Sequence, residues 1–417
     1  MTELQIAGLA PAFQTFLQNF HNCMGCAPIV GHIGTYCRGL MSDLPRKSVE
    51  PIALAAGAGV RSLQLLLTQH DWDDTELLNA MQRRIAGEHL PAPGEDRVDS
   101  LGVVAWIDET SVAKKGDQTP AVQRQYCGST GKIDNCIVTI HLAVGYGPFS
   151  CIVDSDLYVP KGWIEDARRC EQAGIPTEHP FQTKSEIALE QVKRALGNGI
   201  RPDWIGFDEG YGGKPPFLLG LEAMGQTFIG EVPKTFRCFS APPKYRSHQR
   251  PYVAKEARNL AVHGKTLVGK SWKTYRMRHK TVPDSFWKVK AGRVYMSVAG
   301  ESHDREYWLI VAKNTATLEI KYFISNAPLR TSLKRMLEAA FSRWGIEHLF
   351  RVAKTEIGLG HYEGRSYLGL RRHMMLCQLT LLFVAEQTER LRGEKSEVDE
   401  GAGGSGVERD LPAVAAA

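Results

Sequence analysis

The chain predicts an α/β fold, with an all-helical N-terminal domain ahead of a mixed-sheet core that carries a β-rich inserted subdomain. Three observations predict it. Residues 1 to about 97 show helical periodicity throughout. From Val103 the pattern changes to short apolar runs that end in acid, interleaved with amphipathic helices. Finally, 138 residues separate Asp208 from Glu347, too many for a single connection in a compact core.

The composition narrows the class. The chain has 417 residues, 43% hydrophobic and 23% charged, an ordinary balance for a protein with a sizeable core. No apolar run approaches the ~18–20 residues that cross a bilayer, and the N-terminus lacks a basic-then-apolar leader. A cytoplasmic protein without membrane partners is expected. Nine cysteines, scattered and odd in number, read as reduced thiols. His21, Cys23, Cys26, His32 and Cys37 offer soft ligands for zinc, but no second half-motif follows them.

In the N-terminal domain, Arg46–Ala56 and Val60–Thr68 read as two short helices across Gly57-Ala58-Gly59, a spacing that fits a helix-turn-helix. Thr75–Ile85 is a further helix, and Pro91–Asp96 a linker. Beyond it, Val103–Glu109, Val138–Val144 and Phe149–Val153 form a three-strand meander. Ser185–Leu196 is a helix, Trp204–Glu209 a strand, Pro216–Met224 a helix and Thr227–Val232 a strand. That order is the order of an RNase H-like core. The boundaries read as 1–97 (helical, DNA-binding), 98–232 (core), 233–328 (inserted β-rich subdomain), 329–390 (core helices) and 391–417 (a Gly-, Ala- and acid-rich tail expected to be disordered).

Two apolar strands end in acid, at Asp108 and Asp208, on the sheet edge where α/β chemistry usually sits. Glu347 lies in a proline-free helical run, Thr331 to about Ile357, with Arg343 four residues before it and Lys354 seven after. At roughly 100° per residue these spacings share one helix face. Three carboxylates from separate elements can hold two divalent ions about 4 Å apart at a phosphodiester, with Arg343 and Lys354 gripping phosphate oxygens. Taken singly, each aspartate reads equally as a structural strand-end carboxylate.

The insertion carries the charge. From Glu231 to Tyr295 there are sixteen Lys or Arg against three acids, a net of +13, where the whole chain carries +5. Aromatics are interleaved, as phosphate contact and base stacking require. Lys273, Arg276, Arg278 and Lys280 are the expected phosphate contacts. Trp272 or Trp287 is the aromatic expected to stack on a base, a core role being equally open for either.

With these pieces in place, the chain resembles the DDE-class insertion-sequence transposases, in the subgroup with a β-rich insertion and a Y-x2-R-x3-E-x6-K signature. Arg343, Glu347 and Lys354 fit that signature, while Ala340 stands at its tyrosine position. Asp108-x-Thr110 with Lys114-Lys115-Gly116, Arg124–Gly128 with Gly131-Lys132 and Asn135-Cys136, and Leu157-Tyr158-Val159-Pro160 also resemble this group. So do Asp208 with Tyr211-Gly212, and His361-Tyr362-Glu363-x-Arg365-Ser366. The resemblance implies Asp108, Asp208 and Glu347 as catalytic ligands of two Mg²⁺ ions, for which Mn²⁺ can substitute. It implies a homodimer on double-stranded DNA that cuts at terminal inverted repeats and joins 3′-hydroxyls to target DNA. Nucleoid association when bound would follow. A nuclease that cleaves without joining and a non-catalytic DNA-binding descendant are the alternative readings.

Overall fold

The computed structural model describes residues 3–92, 101–241, 253–263, 267, 270–277 and 284–402, with 394–402 as backbone only. The chain forms two compact units. One comprises Met1–Glu95, Glu109–Ile200 and Ile346–Ala417, and the other Asp96–Asp108 and Arg201–Gly345.

The first unit begins with helices α1 (Glu3–Ala7), α2 (Leu9–Gln18), α3 (Ala27–Met41), α4 (Val49–Ala55), α5 (Val60–Thr68) and α6 (Asp74–Glu88). The predicted pair across Gly57–Gly59 is α4 and α5. The first of them starts at Val49 rather than Arg46, because Arg46–Ser48 make tertiary contacts instead. Asp73 sets the start of α6 by accepting the N–H groups of Thr75 and Glu76. Helices α3, α5 and α6 pack on α15 (Tyr367–Ala402), from which buried Arg372 donates to the carbonyls of His70 and Trp72. Past Leu391, where the sequence predicts a disordered tail, the helix runs on to Ala402. Residues 391–402 contain three glutamates and no proline, with glycine at Gly393 and Gly401.

The same unit holds the second half of β1 (Val104–Ala113), then β2 (Gln123–Cys127), β3 (Lys132–Tyr146) and β4 (Phe149–Leu157). In the sheet, β3 lies beside β1, and both β2 and β4 pair antiparallel with β3. Helices α7 (Lys161–Ile164), α8 (Ala167–Ala173) and α9 (Lys184–Gly197) follow. A capping box between Thr183 and Glu186 starts α9, and its buried Gln191 donates to the Ile140 carbonyl of β3.

In the second unit the first half of β1 runs parallel to β5 (Trp204–Phe207), and β5 parallel to β6 (Phe228–Val232). Short α10 (Glu209–Gly212) and α11 (Pro215–Ala223) connect β5 to β6. The meander and these parallel strands, with the helices around them, make an RNase H-like mixed sheet. The inserted residues form β7 (Arg237–Phe239), β8 (Lys255–Glu256), α12 (Ala257–His263), β9 (Lys273–Met277), β10 (Ser285–Val298), β11 (Glu301–Asn314) and β12 (Ile320–Ser325). Strand β12 pairs antiparallel with β6, so the insertion continues the sheet in the order β6-β12-β11-β10-β7-β8, with β9 also on β10.

The run Thr331–Ile357, predicted as one helix, is two: α13 (Leu333–Phe341) and α14 (Trp344–Thr355). The break falls at Ser342, whose hydroxyl donates to the Ala339 carbonyl and accepts from the Trp106 indole at 3.0 Å. A side chain that competes for helix carbonyls and docks on a strand ends the helix there.

Candidate active site

Val104–Ile107 and Trp204–Phe207 are buried along their whole length, as parallel strands covered on both faces must be. Their register pairs Val104 with Trp204 and Ile107 with Phe207. One residue further on each strand stand Asp108 and Asp208. Paired residues of adjacent parallel strands share a face and lie about 5 Å apart. Asp108 and Asp208 thus each stand one residue beyond the last paired position of two adjacent parallel strands, at the carboxyl end of that pairing.

The end of β5 is tightly built. Asp208 caps α10 by accepting the N–H of Gly210 at 2.9 Å and of Tyr211 at 3.3 Å through one oxygen. Beneath it, the Phe207 ring fills the space over Gly230 of β6, where a Cβ would come within 1.9 Å of the ring. Glu209, read from the sequence as the last residue of that strand, is instead the exposed first residue of α10. The strand stops at Phe207 because Asp208 starts a helix.

Arg343 reaches Asp108 from the junction of α13 and α14, with the guanidinium donating to the carboxylate at 2.7 Å. Both side chains are mostly buried, 19% and 13% exposed, so the pair is shielded from solvent screening. Arg343 thus sits in the turn before α14 and not on the helix face expected from its spacing. Glu347 and Lys354, seven residues apart on α14, keep the common face. Glu347 is exposed, and the Lys354 ammonium lies 3.5 Å from the Ser111 carbonyl. Buried His141 lies near the same helix, its ring edge-on to Phe350 and held between the hydroxyls of Thr139 and Ser155. Burial, and then the charge of Lys354, pushes its pKa down to about 3, so it is neutral.

Among the described residues no three His, Cys, Asp or Glu side chains are gathered closely enough to hold a metal ion. All nine cysteines are free thiols, eight of them buried and Cys26 exposed. The adjacent Asp108 and Asp208 suit Mg²⁺, a hard cation that takes one or two carboxylates and completes its shell with water and phosphate oxygens.

Of the expected DNA contacts, Lys273 and Arg276 are exposed on β9, and Arg276 is paired with Asp284. Arg278 and Lys280 lie outside the described residues. Trp287 is 4% exposed and packs on Phe341 at 4.8 Å, so it belongs to the core and cannot stack on a base. Strand alternation explains this: Phe286, 48% exposed and paired with Arg276, and exposed Lys288 point outward, while Trp287 between them points in. Trp272 is 43% exposed, with the Lys290 ammonium 4.9 Å over its ring. Lys288 pairs with Lys313 across β10 and β11 and extends the basic outer face, a contribution visible only once strand register is known.

The RNase H-like sheet therefore carries an aspartate just past the end of each of two adjacent parallel strands, one of them paired with an arginine. The chain belongs to the DDE superfamily endonucleases, whose family model matches residues 19–284. That span includes Asp108 and Asp208 and ends before Glu347. The chain is also similar to the probable transposase for insertion sequence element IS701 of Microchaete diplosiphon, 31% identical over 194 residues. That match spans 46% of this chain and 46% of the relative, less than half the length of each. Among the described residues no helix is long and apolar enough to cross a membrane.

Proposed function

We propose that the protein is a DNA transposase, which cleaves the ends of its element and joins the 3′-hydroxyls to target DNA. The observation that supports this reading is the parallel register of β1 and β5, which ends at Ile107 and Phe207, one residue before Asp108 and Asp208. Asp108, Asp208 and Glu347 would hold two Mg²⁺ ions, with Mn²⁺ able to replace them. When bound, the metal would supply Lewis-acid stabilisation of charge on the phosphodiester oxygens and would make water a better nucleophile.

The chain's own residues do the rest. Arg343 holds the Asp108 carboxylate in place and sets a cation beside it for a phosphate oxygen. Lys354 adds a cation on the Glu347 face of α14. The outer face of β9–β11, with Arg276, Lys288 and Lys313, binds duplex phosphates, and the α4–α5 pair reads the terminal inverted repeats. Two copies on paired ends would form the active dimer.

The deciding experiment incubates the protein with labelled duplexes carrying the element's inverted repeats, a plasmid target and Mg²⁺. Joined products support the reading. Cleavage without joining makes the protein a nuclease of this fold, and binding with neither makes it a non-catalytic descendant.

A further inference from the structure

Helix α14 carries Glu347 near its start and Lys354 in its last turn, and the chain beyond it is held by two lysines. Lys47 is 4% exposed. Its ammonium donates to the Leu40 carbonyl in the last turn of α3 at 2.9 Å, and to the Glu356 carbonyl just past α14. Its backbone N–H donates to Nδ1 of His361 at 3.0 Å, which leaves the His361 proton on Nε2. From the end of β1, Lys114 donates to the carbonyls of Gly360 at 3.1 Å and Tyr362 at 2.6 Å. Gly358 has φ +80°, and a Cβ there would lie 2.8 Å from Cβ of Lys47. The flanking residues repeat the contact, Glu363 lying 3.4 Å from both Arg46 and Ser48.

Two ammonium groups taken out of water carry a large desolvation cost, and burial lowers the pKa of each. An apolar side chain would fill either space without that cost. What the ammoniums add is direction. Lys47 draws in the Glu356 carbonyl where α14 ends, at the negative end of its dipole, and Lys114 holds the carbonyls of Gly360 and Tyr362 in the loop that follows.

We propose that Lys47 and Lys114 are positioning residues for Glu347 and Lys354, and that they fix the tilt and rotation of α14 by clamping the chain at its far end. The inference rests on the reading of Glu347 as a metal ligand. From Glu356 back to Glu347 the helix spans about 13 Å, so a tilt of about 5° moves the carboxylate by about 1 Å. A displacement of that size is enough to cost about 100-fold in rate.

The test compares wild type, Lys47→Met, Lys114→Gln, Lys114→Arg and Glu347→Gln in the full chain on an inverted-repeat duplex. Three quantities are read: duplex affinity, cleavage against Mg²⁺ concentration, and Mn²⁺ affinity of the complex from the resonance of the bound ion. Lys47→Met and Lys114→Gln should bind the duplex within about twofold of wild type, yet need about tenfold more Mg²⁺ and bind Mn²⁺ about tenfold more weakly. Lys114→Arg, a donor to the same two carbonyls, should recover most of both. Folded lysine variants with wild-type metal dependence overturn the proposal. So does a parallel loss of duplex binding and cleavage, or misfolding of both Lys47→Met and Lys114→Gln, since the lysines would then hold only the fold. If instead Glu347→Gln cleaves normally, the reading of Glu347 fails, whatever the lysine variants do.

Discussion

The guanidinium of Arg343 donates to the Asp108 carboxylate at 2.7 Å, one residue past the point where Ile107 of β1 faces Phe207 of β5. The pair places a fixed cation at the edge from which Asp208 also projects. Asp108→Asn should keep this contact, because the amide oxygen still accepts from Arg343, while losing the charge that holds a metal. Duplex cleavage is expected to fall by about 100-fold or more with the melting temperature little changed. A cleavage assay paired with thermal unfolding checks this, and near-normal cleavage would remove Asp108 from the site.

Glu347→Gln should separate chemistry from binding. The exposed carboxamide preserves shape on α14, so duplex affinity should stay within about twofold while cleavage falls by about 100-fold or more. Were the variant to cleave normally in Mg²⁺, Glu356 or Glu363 would be the next carboxylates to examine. Glu363 is the weaker of these, because Arg46 and Ser48 already engage it.

The basic face of the insertion should reveal itself through salt. Reversing Lys273, Arg276, Arg278 and Lys280 together should weaken duplex binding strongly at physiological ionic strength and less at low salt. The slope of log affinity against log salt should flatten by about one unit for each phosphate no longer neutralised. Titration at several salt concentrations measures this. An unchanged slope would hand the DNA-binding role to the N-terminal helices.

Acid should destabilise the fold through two buried histidines. His141 titrates at about 3, mainly because it is buried. His373 titrates at about 4 for the same reason, its Nε2 proton donated to the Gly358 carbonyl and its Nδ1 accepting from Tyr36. In the unfolded chain both take up protons near pH 6.5. As pH falls below 6.5 the unfolded state gains protons that the folded state refuses, so stability drops until about pH 4 for His373 and pH 3 for His141. At pH 5 the loss is about 2 kcal/mol per histidine. Urea unfolding between pH 7.5 and 5 measures it, and His141→Gln should flatten the dependence.

Gly230→Ala should disturb the site without touching a carboxylate. The added methyl overlaps the Phe207 ring, which must swing away and take the end of β5 with it. A loss of about 1–3 kcal/mol is expected for such overpacking, together with reduced cleavage. If stability falls and the cleavage rate does not, Phe207 is not what sets Asp208.

The core order and both strand-end aspartates were legible because continuous apolar runs such as Trp204–Phe207 and an acid at each end leave a plain signature. For Trp287 the sequence left stacking and core roles both open, because composition marks a basic, aromatic stretch, but only the pairing of β9 with β10 says which aromatics face out. The break at Ser342 was hidden because it depends on Trp106, 236 residues away. Strands β2 and β12 were missed: β2 is short, mixed in polarity and held by a tight return from Cys127 to Lys132, and β12 takes its place only through β6 and β11. The clamp by Lys47 and Lys114 left no trace, since a buried lysine is written in sequence like any other.

Lys47 also bears on how such a protein can change its target. Its ammonium joins the last turn of α3 to the chain beyond α14, and its backbone holds His361, so the N-terminal helices are not a detachable cassette. Replacing them wholesale would strand the Glu356 carbonyl and the His361 ring in a buried place, and the graft would damage the half that it was not meant to alter. On the proposed reading of α4 and α5 as the end-binding pair, new end preferences would arise more readily by single substitutions at their exposed positions, such as Leu54, Arg61 and Gln64, with residues 46–48 left as they are.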